Sequence, residues 1–488
     1  MNRTIKLFMG GFLCLLLVIH EGCTDDSPEA GEKNKNENSI DSQTDTQNQN
    51  ETEDSQNTSS STSDTDSDTD IDTDTDADTD NDEDSDSDGA PEGSIDSITE
   101  KCNQCGGFNG VDMLLVVDNS TSMEQEQGIL ATGIFTLLNS LLYPTEKEGD
   151  DGPQANVRLA VVSTDMGLQY GENGSTEGWP YNDFTKALKG CDESPSGDNG
   201  KFQTTTGNAV RIRNGSIPCS PGAKQCPSDK WECKEGKCVL PENENDDTCE
   251  SHTADTPWTA TSNEDENRSF AKQVACNAQL GIDGCGIEQQ LQAGLKGLVH
   301  DSQKSFLKED HLLSIIVISD EEDCSIRDKA LFDSPEWLEL ETLNTACTLP
   351  AENEERFLFD PSFYHDELVK IKGGNENAVV FAAIVGVPLT KPEDDNNCQG
   401  PGIALGDCLA HPKMEYKKEY SDEYDLYLFE PACTRTSGDR LITSAAPGRR
   451  YVKLAQQFGC HGYVFSICNK DWSPAMENIA DLLKSCIV

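Results

Sequence analysis

Short apolar runs alternate with longer stretches of helical periodicity from residue 111 to the end of the chain. Runs of Val, Ile and Leu are typical of buried strands, and apolar positions three or four apart are typical of helices. This alternation indicates an α/β fold with a doubly wound, mostly parallel sheet. The predicted strands are Met113–Val117, Val157–Val162, Leu312–Ile318, Ala378–Val385 and Tyr463–Ile467, and the predicted helices are Glu124–Leu142, Arg268–Leu280, Gly286–Val299, Tyr451–Phe458 and Ser473–Leu483.

Two insertions interrupt this order within a domain that we place at residues 99–488. Residues 165–265 are rich in Cys, Gly, Asn, Ser and Pro, and residues 386–448 are loop-rich. Each insertion follows a predicted strand, so we expect at least one of them at the edge of the sheet where the parallel strands end. Loops on a rigid scaffold commonly carry recognition.

Residues 1–23 are organised like a secretory signal, with a basic start, an apolar run at Leu7–Ile19, and Cys23 directly after a glycine. The run is too short to cross a bilayer, which takes about 20 residues. A cysteine at this place is typical of bacterial lipoproteins, and a lipid on Cys23 would anchor the protein to a membrane without spanning it. His20 and Glu21 depart from the usual lipoprotein pattern, which leaves ordinary secretion as the alternative.

Residues 24–98 are dominated by Asp, Ser, Thr, Asn and Gln. Such a segment buries too little apolar surface to offset the entropy of ordering, so we predict a disordered linker. The formal net charge of the whole chain is −53. Because phosphate recognition needs a positive field, this charge argues against nucleic acid as a partner.

The chain has 20 cysteines, and 18 remain when Cys14 and Cys23 of the signal are set aside. This density indicates disulfides formed in an oxidising, extracytoplasmic compartment. Zinc is the competing interpretation, but only Cys102 and Cys105 have the paired C-x2-C spacing, and they have no second half.

Candidate chemistry lies where two of the predicted strands end. Asp118, Ser120 and Ser122 directly follow the first strand, and Asp320 follows Leu312–Ile318. Carboxyl ends of parallel strands meet at one edge, and carboxylate and hydroxyl oxygens suit a hard divalent cation. The alternative is that both loops only cap helices, with Asp118 and Ser120 accepting from helix N–H groups.

The run from Val111 to Met123 resembles the D-x-S-x-S signature of the von Willebrand factor A (vWA) domain family. The resemblance implies a Rossmann-like sheet and a metal-ion-dependent adhesion site (MIDAS) that holds Mg2+ or Mn2+. It also implies that Asp320 joins the site through water, and that the protein binds other macromolecules rather than catalysing a reaction.

One family ligand, a threonine in a loop before a helix, is not matched. The corresponding loop is Ile282–Leu291, with Cys285 at the threonine position. A bridged cysteine cannot bind a hard cation, and a free thiol is a poor ligand for Mg2+. Asp283 or Glu288 could substitute, and Ca2+ could then be the ion.

Three further acidic residues, Glu321, Glu322 and Asp323, follow Asp320. They either widen the metal site and repel anionic partners, or face solvent at a helix start, where carboxylates favour the helix dipole.

The sequence therefore predicts a divalent-cation-dependent binding or adhesion module on a bacterial surface lipoprotein, with a protein or glycan as its ligand. A structural scaffold without a working metal site is the alternative, and a metal-assisted hydrolase is the third hypothesis. The chain has no H-E-x-x-H, G-x-S-x-G or P-loop motif, so we expect no enzymatic activity.

Two disulfide pairings follow from the predicted topology. Cys285 and Cys324 both lie in loops at the metal-bearing edge, so we expect them to pair. Cys486 ends the last helix at the opposite edge, where the first strand begins, so we expect it to pair with Cys102 or Cys105. Cys460, just before the last strand, competes for the same partner.

Overall fold

The five predicted strands form the parallel centre of one mixed sheet. In the computed structural model they are β1 Val111–Val117, β2 Val157–Ser163, β6 Leu312–Ile318, β7 Val379–Val385 and β13 Gly462–Ser466. The structure describes residues 105–142, 156–167, 197–203, 232–235, 237–239, 258–259, 264–328, 330–331, 347, 356–391, 394, 396–421, 426–437 and 440–487.

The strand order creates a crevice beside β1. The parallel strands run β2-β1-β6-β7-β13 across the sheet, so the chain moves outward from β1 to β2 and then returns to the other side of β1. Ligands of open α/β sheets bind where the order reverses, outside the carboxyl ends of the strands. Here that position lies between β1 and β6.

Helices cover both faces of the sheet, and those that were predicted begin and end within four residues of their predicted bounds. They are α1 Glu126–Leu142, α2 Glu264–Asn277, α3 Gln290–Val299, α4 Pro361–Ile371, α5 Arg449–Gln457 and α6 Ser473–Cys486. Helices α1, α2 and α6 pack in one core with Met113, Leu115 and Val117, whereas α3, α4 and α5 pack in another with Leu114 and Val116. Because successive strand residues face opposite sides, a strand buried on both faces reads as one continuous apolar run.

Helix α4 was not predicted from the sequence. Its signals are Asp360, which caps the helix by accepting from Ser362 N at 2.8 Å, and Pro361 at the first helical position. Only Pro361, Tyr364 and Leu368 of this helix are buried, so its apolar stripe is too narrow for periodicity to stand out.

The second insertion is more regular than the loop-rich segment we expected. It contains the antiparallel hairpins β9 Lys418–Ser421 with β10 Leu426–Phe429, and β11 Cys433–Ser437 with β12 Arg440–Ala445. Both insertions also supply short antiparallel strands at the sheet edges, β5 Trp258–Thr259 beside β2 and β8 Gly400–Pro401 beside β13. Such strands cover edges that would otherwise be open to pairing with another chain. A third small hairpin joins β3 Glu232–Lys234 and β4 Lys237–Val239.

Four disulfides link described cysteines: Cys105–Cys486, Cys324–Cys347, Cys398–Cys408 and Cys433–Cys468. The first is one of the two pairings expected for Cys486. The Cys285–Cys324 prediction is wrong, because the chain after Asp320 turns toward the segment around Phe357, where Ile326 bridges Leu358, and Cys324 bonds Cys347 there. The four bridges fit an extracellular protein.

Several predictions concern residues outside the described part of the chain. They are the signal with Cys23, the linker at 24–98, Cys102, and most of the first insertion. Among the described residues, no helix combines the length and apolar character that crossing a bilayer requires.

Candidate metal site at the β1–β6 crevice

Asp118 stands where β1 ends and is fully buried. Its Oδ1 accepts from the backbone N–H of Ser120 at 2.8 Å, and its Oδ2 accepts from the hydroxyl of Ser319 at 2.6 Å. Burial raises the pKa of the Asp118 carboxyl above its usual range, and these hydrogen bonds oppose the rise. The carboxylate is thus fixed in orientation at the crevice.

A chain of hydroxyls connects β1 to β6. The Oγ atoms of Ser120 and Ser122 lie 2.8 Å apart, and Ser122 Oγ donates to Asp320 Oδ1 at 2.9 Å. The 3-10 helix Thr121–Glu124 follows Ser120 directly, and it brings Ser122 around to face β6. The structure therefore brings Ser120 and Ser122, which lie in the same loop as Asp118, together with Asp320, which follows β6.

The charges of this cluster lack a cationic partner among their main neighbours. Burial raises the pKa of Asp320 well above its usual range, and the charges of Asp118 and then Glu126 raise it further. None of the main influences on the pKa of Asp118 or Asp320 is a cation. Two buried carboxylates in this condition are the environment that a bound divalent cation would neutralise.

Thr164 is a residue that the sequence analysis missed. It follows β2, is buried, and its Oγ1 makes no hydrogen bond of ordinary geometry. It lies close enough to the Asp118 carboxyl to lower its pKa. A buried hydroxyl this close to buried carboxylates fits a hard cation with oxygen ligands. The polar run Ser163–Asp165 directly after a buried strand was the available signal.

Ser319 and Glu126 were also missed. Ser319 accepts from the side-chain amide of Gln290 at 2.8 Å while it donates to Asp118, so it ties helix α3 to the site. Glu126 is buried at the start of α1, and burial raises its pKa. Ser319 could have been found as the polar neighbour of Asp320, whereas no sequence signal distinguishes Glu126 from an ordinary first-turn carboxylate.

The loop Ile282–Leu291, which carries Cys285, contacts the segment that follows β1. Gly284 N donates to Asn119 O at 2.8 Å, and a Cβ on Gly284 would lie 2.3 Å from Asn119 Oδ1. Cys285 is buried and disulfide-bonded, so it offers no thiolate to a metal. Asp283 of the same loop is exposed.

Glu288 is the carboxylate of this loop that turns inward, with 7% of its surface exposed. Its backbone bridges Asp165, and its carbonyl accepts from Cys324 N at 2.9 Å. Burial raises the pKa of Glu288 well above its usual range, and the charges of Asp118, Asp320 and Asp165 add to the rise. Glu288 therefore belongs to the electrostatic environment of the site.

The acidic loop after Asp320 does not face solvent, contrary to one of the two interpretations of it. Glu321, Glu322 and Asp323 are all buried. Glu322 accepts from Tyr416 and from Arg449 N, and Asp323 pairs with Arg450 Nε at 3.0 Å. The carboxylates of Glu322 and Asp323 thus anchor the second insertion and helix α5.

Both insertions border the crevice. In the second insertion, Ala446 N donates to Asp320 O at 2.8 Å, and Thr443 donates to Glu126. In the first, Asp198 N donates to Asp165 O at 2.8 Å, and the Asp198 carboxylate accepts from Ser163. A partner that reached the site would meet both insertions.

Comparison with known proteins adds little to this description. No family model matches the chain, and no curated protein matches it. Among solved structures, the human COPII-coat protein Sec24c covers 59% of this chain and 27% of its own length, at 9% identity and a TM-score of 0.23. The pilus adhesin RrgA from Streptococcus pneumoniae covers 78% of this chain and 42% of its own, at 10% identity and a TM-score of 0.19. The chain thus spans less than half of either protein, and likenesses this low bear on neither fold nor function.

Proposed function

We propose that this chain is a vWA-like, divalent-cation-dependent binding module of a bacterial cell-envelope lipoprotein, with a protein or glycan as its ligand. The observation that carries the proposal is the hydroxyl chain from Ser120 through Ser122 to Asp320, beside the buried Asp118. These groups lie at the reversal of strand order, where open α/β sheets bind ligands.

Asp118, Ser120, Ser122 and Asp320 would hold the cation, and Mg2+, Mn2+ and Ca2+ are the candidates. The bound cation would supply a Lewis-acidic position for an oxygen of the partner. The chain's own part is to fix the Asp118 carboxylate, through Ser319 and Ser120 N, and to surround the crevice with the two insertions, which would select the partner.

A structural scaffold is the second candidate, and the buried, disulfide-bonded Cys285 favours it. A site without the family threonine has one oxygen ligand fewer and would bind a cation weakly. The stability of the domain would then depend on the disulfides rather than on a bound cation. The two candidates differ in a single measurable property, the response of stability to a divalent cation.

The test is thermal unfolding of the purified chain in EDTA and in millimolar Mg2+, Mn2+ or Ca2+. Binding to the folded state alone stabilises it by about 2.7 kcal/mol at a hundred times the dissociation constant, which raises the melting temperature. We expect Asp118→Ala to abolish the shift and Asp407→Ala, which removes an exposed carboxylate, to retain it.

An identical melting temperature in EDTA and in all three ions would refute the metal-dependent function and leave the scaffold. If the shift is present, arrays of glycans and of surface proteins probed with the chain, with and without EDTA, would test whether binding depends on the ion.

A further inference from the structure

A second cluster of ligating side chains lies at the opposite end of the sheet from Asp118. Cys105 precedes β1, His461 directly precedes β13, and Cys486 ends α6. One ligand atom from each of the three lies within 4.8 Å of the others, and His461 Nε2 is 3.2 Å from Cys105 Sγ. Tetrahedral zinc, with bonds of about 2.0–2.3 Å to nitrogen and sulfur, takes ligand atoms this close together.

The imidazole of His461 is held in the orientation of a metal ligand. Only 6% of His461 is exposed, and it makes a hydrogen bond to the backbone of Glu376. Nε2 faces the sulfur, and a hydrogen bond from the ring to the backbone is the kind of outer contact that orients most metal-binding histidines.

The backbone brings the two cysteines together without help from the sulfur–sulfur bond. Phe108 N donates to Cys486 O at 2.9 Å, and Phe108 and Ile487 form a parallel bridge. Cys486 is buried, and it is anchored by α6, whose inner face packs in the core with β1. The thiols would therefore remain neighbours if the disulfide were opened.

We propose that Cys105, Cys486 and His461 form a zinc site when their disulfide is reduced, so that this end of the domain is held either by a disulfide or by a metal. A dithiol supplies two electrons and two protons, becomes a disulfide itself, and leaves Cys105 and Cys486 as thiols. Zn2+ then displaces both protons and binds two thiolates, His461 Nε2 and one water. The two thiolate charges balance the dication, so no net charge is buried. Cys460, the sequence neighbour of His461, is disulfide-bonded and is not a ligand.

The experiment uses the chain after limited reduction with a dithiol, which is then removed under anaerobic conditions. Co2+ serves as the spectroscopic probe for zinc. We expect one Co2+ per chain with thiolate-to-metal charge transfer in the near ultraviolet, bleached by Zn2+. His461→Gln should weaken binding by on the order of tenfold or more, and Cys105→Ser with Cys486→Ser should abolish the charge-transfer band.

The disulfide Cys398–Cys408 provides the control, because it is a second disulfide between described cysteines and both of its cysteines are fully buried. Cys398→Ser with Cys408→Ser should leave the cobalt signal unchanged, as should Asp118→Ala, since a carboxylate site gives no thiolate band. The absence of the band in the reduced chain, or its survival without Cys105 and Cys486, would overturn the proposal. If reduction unfolds the chain, Zn2+ should restore its circular dichroism, and failure to do so counts against the site.

Discussion

Asp165 offers a test of the electrostatics around the crevice. It follows β2, is 7% exposed, and its Oδ1 accepts from Gly167 N at 2.9 Å. Burial raises its pKa from 3.8 to about 6, with a further contribution from the charge of Asp198. Asp165→Asn removes the charge and keeps an oxygen at Oδ1 for this hydrogen bond.

The size of the effect follows from the pKa. A rise from 3.8 to about 6 means that ionising Asp165 costs the folded state about 3 kcal/mol. The folded state binds the proton more tightly than the unfolded chain, so this cost is absent below about pH 4, grows as the pH rises, and is complete above about pH 6. Loss of the Asp165 charge also relieves Glu288, whose pKa it raises.

We therefore expect Asp165→Asn to exceed the parent in free energy of unfolding by about 3 kcal/mol at pH 7.5 and by about 1 kcal/mol at pH 4.5. Urea unfolding in EDTA, followed by circular dichroism, measures both values. Asp407→Asn, at an exposed carboxylate, should match the parent at both pH values. A variant no more stable than the parent at pH 7.5, or a difference independent of pH, would refute the reasoning.

Two further predictions concern residues that hold the crevice in place. Arg450→Met should lower the free energy of unfolding by about 3–5 kcal/mol, because it leaves the buried Asp323 without its partner; denaturant unfolding measures it. Gly386→Ala should reduce any divalent-cation shift of the melting temperature, since its Cβ would lie 1.8 Å from Ala446 O, and Ala446 N bonds Asp320 O. If the shift is unchanged in Gly386→Ala, cation binding does not depend on the contact between the second insertion and Asp320.

Local pattern was enough to predict most of the fold. Leu312–Ile318 was predicted with its observed bounds, and Val157–Val162 differs by one residue at its end, because a strand buried on both faces has no polar position to blur its limits. The start of α3 was placed four residues early, at Gly286 instead of Gln290, because Cys285 to Gln289 form the buried loop over the crevice. Helix α4 was missed, since a narrow apolar stripe leaves little periodicity.

The sequence by itself also determined that Asp118, Ser120 and Ser122 share one loop at a strand end, because that requires only neighbours along the chain. Tertiary structure alone decided that Thr164 and Glu288 border the same crevice, that Cys324 pairs with Cys347, and that His461 lies beside the Cys105–Cys486 disulfide. Each of these contacts depends on which element ends meet across the sheet. Local periodicity does not show which element ends are neighbours, because this depends on the order of the strands and the direction of each connecting loop.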